Sequence, residues 1–212
     1  MTPRLHCFGE SGNCYKAALT LALTGTAWEP VFVDFFHGAA RTPAWRDLNV
    51  MGEAPVLVTE DRTLTQSGAI QLWAAERSGH LLGDRYESLR WVLFDNHKVS
   101  GVAGALRFHM NFLPPDKRSQ AVIDWLTPRL LSALAALEAQ LSRTPFLTGE
   151  APTIADTACC GYLYYPEPFG FDRKTFPAVD AWLSRLAALP GWAHPYDLMP
   201  RVPGRSPTLP LA

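Results

Sequence analysis

The sequence predicts an α/β domain followed by an all-helical domain. Short β-branched and apolar segments alternate with helical ones in the first part of the chain, whereas the second part shows only the three- and four-residue spacing of helices. The 212 residues suffice for one large or two small hydrophobic cores. We therefore expect a first domain at residues 1–80, a helical domain at 87–195 and a proline-rich tail at 196–212.

The first domain should contain helices interleaved with strands. Gly25 ends the first helix, because glycine adopts the left-handed conformation of a helix C-terminus, and Thr42 followed by Pro43 starts the second. The charged residues 60–62 are typical of a hairpin turn. The predicted elements are a strand at 4–8, a helix at 13–24, a strand at 28–36, a helix at 42–48, a hairpin at 54–66 and a helix at 67–79.

The resulting order of elements, βαβαββα, implies a defined topology. A right-handed βαβ unit is followed by an antiparallel pair of strands that a helix covers. This is the thioredoxin-like arrangement, in which the reactive group lies at the turn between the first strand and the first helix. Residues at the amino end of helix 13–24 are therefore candidates for chemistry.

The second domain is predicted to be a series of amphipathic helices. A long helix precedes the PPDK break, a second contains Pro128, and the last begins at Pro177. Between them, Thr153 and Asp156 form a capping box that opens a helix expected to run to Pro166. The apolar residues expected on the buried faces are Val92, Val99, Ala103, Leu106, Met110, Leu130, Leu134, Leu137, Leu141, Val179, Trp182, Leu183 and Leu186.

Composition and charge argue against several classes of function. The formal net charge is −1 and there is no basic stripe, so a nucleic-acid partner is not expected. No apolar run reaches the roughly 18 residues needed to cross a bilayer, and no signal peptide precedes the first strand, so we expect a cytoplasmic protein without a membrane partner. The four cysteines should be free thiols, and their spacing gives no metal site.

The segment Ser11–Gly12–Asn13–Cys14 occupies the turn at which redox members of this fold carry two cysteines. A serine in the leading position cannot form a disulfide, but its hydroxyl can donate a hydrogen bond to the thiolate of a bound cofactor. The positive end of the helix would keep that thiolate ionised. Two simpler interpretations stay open, in which Ser11 only caps the helix and Cys14 is a packed residue.

Two further stretches indicate a ligand. Pro55 opens the third strand, where its missing N–H removes a ladder hydrogen bond. Such a proline makes sense if the Ala54–Pro55 bond is cis and the backbone of Ala54 faces a ligand. Gln66 and Ser67 stand at the amino end of helix 67–79, where an anion binds well, although Ser67 could also be a cap.

Together these residues resemble the glutathione S-transferase family. The resemblance rests on SGNCYKAALTLALTG at the first helix, NVMGEAPVL before the third strand, TQSGAIQLW at the third helix and FLTGEAPTIAD in the helical domain. The chain is similar to bacterial members with a serine-type active site, and the match ends at about residue 195. The resemblance implies a homodimeric detoxification enzyme that uses glutathione as co-substrate and no metal.

The resemblance also implies a role for each matched residue. Ser11 would activate the glutathione thiol, and Asn13 would supply a second polar contact at the same turn. Arg41 or His37 would bind the glycyl carboxylate of glutathione. Ala54, beside the cis-proline Pro55, would bind the cysteinyl backbone. Gln66 and Ser67 would bind the γ-glutamyl end.

The sequence departs from the family pattern in several places. Glu53 stands where many members have a basic residue. The first strand has no tyrosine, which disfavours tyrosine-type catalysis, whereas cysteine-type chemistry by Cys7 or Cys14 is not excluded.

The implied reaction is transfer of the glutathione thiolate to a small hydrophobic electrophile bound between the two domains. The residues predicted to form that pocket are Phe36, Asn96, Ser100, Arg107, Phe108 and Tyr164. Two alternatives stay open: a glutathione-dependent disulfide reductase or peroxidase that uses the same site, and a non-catalytic binding module of the same fold.

Overall fold

The first domain contains a mixed sheet. The structure is a computed structural model that describes residues 1–201, so most of the tail predicted at 196–212 lies outside the described residues. The strands are β1 (Arg4–Cys7), β2 (Glu29–Phe32), β3 (Val56–Val58) and β4 (Thr63–Thr65). They lie in the order β2-β1-β3-β4, in which β1 is parallel to β2 and antiparallel to β3, and β3 is antiparallel to β4.

Helices surround this sheet and form the whole second domain. The α-helices within residues 1–201 are α1 (Gly12–Leu23), α2 (Pro43–Leu48), α3 (Ser67–Ser78), α4 (Arg85–Phe94), α5 (Ser100–Arg107), α6 (Gln120–Leu141), α7 (Ile154–Cys159), α8 (Pro177–Ala187) and α9 (Pro195–Leu198). π-Helical turns at Asp95–Val99 and Phe108–Phe112 continue α4 into α5 and extend α5. The order βαβαββα followed by helices confirms the predicted fold class.

Three predicted elements differ from the observed ones. β2 ends at Phe32 instead of residue 36, because the chain turns through Gly38, whose φ of 86° suits glycine. α7 ends at Cys159, well before Pro166, because the next residues fold back against α1. The start of the predicted tail is ordered, since Pro195 occupies the first turn of the short helix α9.

Helix α1 is buried along most of its length. Every residue from 14 to 21 is 0 % exposed. The helix packs against α3 in its own domain and against α7 and α9 in the helical domain. A helix buried all round needs its polar side chains paired, and α1 contains both Lys16 and Thr20.

Lys16 is paired across the domain boundary. Its ammonium donates to Asp95 in an ion pair in which neither side chain is exposed. Ser100 donates to the other carboxylate oxygen of Asp95 at 2.7 Å, and Lys16 also reaches the Asn96 side-chain oxygen at 3.5 Å. Because Asp95 begins the π-helical turn between α4 and α5, this pair fixes α1 relative to the wall of the helical domain.

Thr20 joins three helices in a second buried network. Its hydroxyl donates to the Thr157 hydroxyl of α7 at 2.7 Å, and the Gln71 amide of α3 donates to Thr157 at 2.8 Å. These side chains are all 0 % exposed. These hydrogen bonds connect α1, α3 and α7, although the Gln71 side-chain oxygen has no partner within residues 1–201.

The capping box predicted at α7 is present and supports α8 as well. Thr153 caps the helix, and Asp156 accepts from the Thr153 backbone N–H at 2.8 Å. Asp156 also accepts from the Leu147 N–H and from the indole N–H of Trp182 in α8, each at 2.9 Å. Burial raises the pKa of Asp156 to about 6, although the hydrogen bonds favour its charged form.

The Lys16–Asp95 pair gives a stability prediction. Lys16→Met leaves the Asp95 carboxylate buried without its counter-charge, so the free energy of unfolding should fall by about 3–5 kcal/mol. The double variant Lys16→Met/Asp95→Leu buries no charge and should be more stable than Lys16→Met alone. Urea denaturation measures both values.

The exposed pair of Arg90 and Glu87 supplies the control. Arg90→Met should cost less than about 1 kcal/mol, because solvent screens an exposed pair. A loss in Lys16→Met as small as in Arg90→Met, or a double variant less stable than Lys16→Met, would contradict the prediction.

Candidate active site

A cavity of about 400 Å³ lies between the two domains at the amino end of α1. Its lining consists mainly of polar residues, called here the polar side, and of aromatic residues, called the aromatic side. The polar side is formed by Glu10, Ser11, Asn13, Glu53, Ala54, Pro55, Gln66, Ser67, Asn96, Ser100 and Arg107. The aromatic side is formed by Phe8, Phe35, Phe36, Phe108, Phe112 and Tyr162, and Gly101 and Gly104 complete the wall.

Ser11 is both a helix cap and a lining residue of this cavity. Its Oγ accepts a hydrogen bond from the Cys14 backbone N–H at 3.2 Å, as a cap does. Accepting this bond uses a lone pair of the oxygen and leaves the hydroxyl its proton. The Cys14 side chain also lies within hydrogen-bonding reach of Ser11, and because its buried thiol stays protonated, the Ser11 hydroxyl can still donate to a ligand. The cap interpretation is therefore correct, and it leaves the proposed donor role intact.

The first turn of α1 fits closely against Tyr162. A Cβ at position 12 would lie 2.5 Å from the Tyr162 ring, so only Gly12 allows this approach. Asn13 follows at the half-buried second position of α1 and also lines the cavity. The turn thus presents a hydroxyl, a side-chain amide and the unpaired N–H groups of a helix amino end to one space.

The cysteines near this turn are unsuited to nucleophilic chemistry. Cys7 and Cys14 are both 0 % exposed, and neither lines the cavity. Burial is the main cause that raises the pKa of Cys14 to about 12, and it also raises the pKa of Cys7. Their thiols therefore stay protonated near neutral pH, which supports Cys14 as a packed residue.

The loop before β3 brings backbone groups to the cavity. The Ala54–Pro55 bond is cis, as predicted. The N–H and C=O of Ala54 have no hydrogen-bond partner within residues 1–201, and both Ala54 and Pro55 line the cavity. An extended peptide could use this unpaired edge in the manner of an added strand.

The amino end of α3 also lines the cavity, next to the loop before β3. Gln66 has φ 69° and ψ 125°, a conformation that side chains rarely adopt. Its amide donates to the Glu53 carboxylate at 2.9 Å, while Ser67 begins the helix and is buried. Such backbone outliers concentrate at ligand sites, and a helix amino end favours an anionic group.

The aromatic side is a contiguous series of rings from both domains. Phe8 stacks on Phe35 with ring centres 4.9 Å apart, and Phe36 stacks on Phe112 at 5.4 Å. Phe112 is followed by Phe108 at 6.3 Å. Phe36 and Phe108 were predicted from the sequence, whereas Phe8 and Phe35 were not, because they fall outside any helical periodicity.

Arg107 lines the cavity but is already engaged. It forms a buried ion pair with Glu167 at 2.9 Å, donates to the Glu10 carbonyl and donates to the Tyr196 hydroxyl at 2.7 Å. Its guanidinium also lies 3.8 Å from the centre of the Tyr165 ring. Arg107 therefore holds the turn before Ser11 in place through the Glu10 carbonyl.

Three predicted site residues do not line the cavity. Arg41 is exposed in the short turn Ala39–Arg41, and His37 is exposed and bonded to Asp34 at 2.7 Å. The Tyr164 hydroxyl donates to the Leu183 carbonyl at 2.7 Å, so its ring packs in the helical core. The lining of this cavity therefore includes Tyr162 but not Arg41, His37 or Tyr164, and it does not support the site roles predicted for Arg41 and Tyr164.

No group of His, Cys, Asp and Glu side chains within residues 1–201 is arranged to hold a metal ion. In the same part of the chain, none of the helices is both apolar enough and long enough to span a bilayer.

Comparisons with known proteins agree for both halves of the chain. Residues 3–76 match the family model described as glutathione S-transferase, N-terminal domain, and residues 105–190 match that described as glutathione S-transferase, C-terminal domain. The crystal structure of a glutathione S-transferase from Pseudomonas fluorescens Pf-5 is 33 % identical and superposes with a TM-score of 0.86. The match covers 93 % of this chain and 100 % of that one.

Curated relatives have two kinds of name. Glutathione S-transferase F10 of Arabidopsis thaliana is 28 % identical over 193 residues, which cover 84 % of this chain and 88 % of the relative. The disulfide-bond oxidoreductase YfcG of Escherichia coli is 27 % identical over 198 residues, which cover 86 % of this chain and 89 % of the relative.

The buried cysteines give a prediction about thiol reactivity. In the native protein, none of the four thiols should react with an aryl disulfide reagent at about pH 8, because all four are buried and protonated. All four should react after unfolding in guanidinium. Absorbance of the released aryl thiol measures the reaction.

A matched variant shows that the reagent reaches the cavity. Ser11→Cys puts a thiol at the lining position with a helix amino end beside it, so this variant should react with one equivalent in the native state. Rapid labelling of the native wild-type protein at Cys7 or Cys14 would contradict this prediction and would favour catalysis by a cysteine.

Proposed function

The chain belongs to the glutathione S-transferase family, and we propose that it binds glutathione, ionises its thiol beside Ser11 and transfers the thiolate to a small hydrophobic electrophile. One observation carries the proposal. The Ser11 hydroxyl stands at a helix amino end, and it lines a cavity whose lining contains both polar and aromatic residues.

Glutathione fits the polar side in one direction. The unpaired backbone of Ala54 would bind the cysteinyl part as an added strand, and the γ-glutamyl end would meet the amino end of α3 at Gln66 and Ser67. This direction puts the sulfur near Ser11 and Asn13. Because Arg41 lies outside the cavity, the proposal leaves the glycyl carboxylate facing solvent.

The chemistry is chiefly stabilisation of an anion. The thiol proton passes to solvent, the thiolate accepts a hydrogen bond from Ser11, and the helix amino end adds a favourable field. The sulfur then forms a bond to the electrophilic carbon while a leaving group such as a halide departs with the bonding electrons. A hydrogen bond to a charged sulfur contributes about 1.5–3 kcal/mol.

The electrophile would bind against the aromatic side. Phe36 comes from the first domain, and Phe108 and Phe112 come from the second, so the second substrate lies between the domains. Stacked rings bury apolar surface and hold a flat molecule against the sulfur, which lowers the entropy cost of the reaction.

A disulfide reductase at the same site is the second candidate, because one relative is named a disulfide-bond oxidoreductase. With Cys7 and Cys14 buried, bound glutathione would have to supply the reacting thiolate. It would attack one sulfur of a disulfide and displace the other as a thiolate. A second glutathione would then resolve the mixed disulfide, giving oxidised glutathione.

We also propose a cytoplasmic homodimer. Helix α4 exposes Tyr86, Leu89 and Leu93 at 82 %, 43 % and 60 %. An apolar strip on one helix favours burial against a second copy, and a two-fold arrangement is the commonest in homodimers.

The assignment of Ser11 gives the central kinetic prediction. Ser11→Ala should lower turnover with an aryl halide by about 10- to 100-fold and raise the pH midpoint for ionisation of bound glutathione by about 1–2 units. Ser11→Thr keeps a hydroxyl and should retain most activity. The same variants are assayed with a disulfide substrate, which separates the two candidate reactions.

Matched serine and cysteine variants complete the test. Ser67→Ala should weaken glutathione binding measured by calorimetry, whereas Ser78→Ala, at the far end of α3, should not. Cys14→Ala should leave the pH midpoint unchanged. Loss of turnover in Cys14→Ala alone would contradict the role given to Ser11, and absent glutathione binding would favour a non-catalytic module.

The dimer is tested by sedimentation equilibrium. The native protein should have twice the mass of one chain, and Leu93→Glu should give a single-chain mass, because a carboxylate would be buried at the interface. Trp125→Glu changes an exposed apolar residue of α6 and should leave the dimer intact. A single-chain mass for the unsubstituted protein would refute the dimer.

A further inference from the structure

The last described residues of the chain lie against the turn that precedes Ser11. The Gly9 backbone N–H donates to the Pro200 carbonyl at 2.7 Å, and the Tyr15 hydroxyl of α1 donates to the Ala193 carbonyl at 2.9 Å. The segment 193–201 is therefore fastened to both sides of the amino end of α1. Most of this segment lies in the stretch that the sequence predicted as a proline-rich tail.

Arg201 ends this segment with its side chain directed at the active-site turn. Its Nε lies 3.5 Å from a carboxylate oxygen of Glu10, and the side chain is only 22 % exposed. The guanidinium stacks on Tyr196, with its carbon 3.7 Å from the ring centre. A Cβ at position 9 would lie 2.6 Å from the Arg201 Cγ, so Gly9 is the residue that lets this side chain pass.

Glu10 is an unusual neighbour for a site that must stabilise an anion. The residue is 4 % exposed, and neither carboxylate oxygen has a hydrogen-bond partner within residues 1–201. Its backbone carbonyl is bound by Arg107, but within the described chain the carboxylate itself forms an ion pair only with Arg201. A buried carboxylate of this kind needs its counter-charge.

The charge of Glu10 acts on the residues around Ser11. Burial raises the pKa of Cys14 to about 12, and the Glu10 carboxylate adds to that rise. Cys14 lies in the first turn of α1, where its N–H is bound by Ser11. A second anion formed beside Ser11 would experience repulsion from the same carboxylate, and the charge of Arg201 is placed to offset it.

We propose that Arg201 is a positioning residue, which neutralises Glu10 beside the Ser11 turn and thereby keeps the thiol of bound glutathione ionised near neutral pH. This inference rests on the proposed function. Arg201 touches neither the reacting sulfur nor the electrophile; it acts through Glu10. The segment 193–201 would thus influence the active site through the charge of Arg201.

The other charged groups around the turn are not changed by these substitutions. Arg107 is held by Glu167, and the carboxylate of Glu53, across the cavity, accepts from Gln66. The Lys16–Asp95 pair lies on the α5 side. The phenols of Tyr162, Tyr165 and Tyr196 face the same region, and burial raises the pKa of each, so they stay neutral.

The test measures the pH midpoint for ionisation of bound glutathione, by the ultraviolet absorbance of its thiolate, in the full-length protein. Arg201→Met should raise the midpoint by about one unit, because Glu10 is left unneutralised. Glu10→Gln should lower it by about half a unit, because Arg201 is left without its counter-charge. The double variant should return to within about 0.3 unit of the wild type, and Arg201→Lys should do the same.

The pH midpoints of the two single variants should shift in opposite directions, which distinguishes an electrostatic effect from damage to the fold. Loosened packing would shift the pH midpoints of Arg201→Met and Glu10→Gln in the same direction. It would shift the midpoint of the double variant at least as far. An unchanged midpoint in Arg201→Met, or a double variant shifted as far as Arg201→Met, overturns the inference while the proposed function stands. If glutathione gives no thiolate signal with the unsubstituted protein, the proposed function and the inference fall together.

Discussion

The buried ion pair between Lys16 and Asp95 is the interaction on which the site depends most. Helix α1 is enclosed by both domains, and a lysine in its middle can be buried only where a carboxylate meets it. The carboxylate comes from the junction of α4 and α5, next to Asn96 and Ser100, which line the cavity. Fixing that contact fixes the distance between the helix amino end and the wall facing it.

Ser11 shows how one side chain can serve structure and chemistry together. As a cap it accepts from the Cys14 N–H, which uses a lone pair of its oxygen and leaves its proton. The two interpretations weighed from sequence were therefore compatible. Cys14 cannot combine a structural and a chemical role in this way, because its thiol lies in the core, where burial keeps it protonated.

Sequence reasoning predicted the fold and most of the polar side of the site. Turn chemistry, caps and helical periodicity are local signals, so β1, α1 and the cis bond at Pro55 could be read from short stretches. Tyr162 and Arg201 could not, because each reaches the Ser11 turn only through tertiary packing. The segment GYLYY offers three tyrosines, and only the end of α7 at Cys159 decides which one faces α1.

The row of phenylalanine rings joins the two domains. In the proposed function, the groups that would contact the glutathione sulfur lie around Ser11, and buried ion pairs and a helix cap hold them in place. Phe35 lies in a loop and is 38 % exposed, and Phe108 is 37 % exposed. Replacing either ring alters the shape offered to a second substrate without disturbing the helix end. For the function proposed above, descendants of this chain could therefore diversify in substrate preference while inheriting the sulfur-ionising step unchanged.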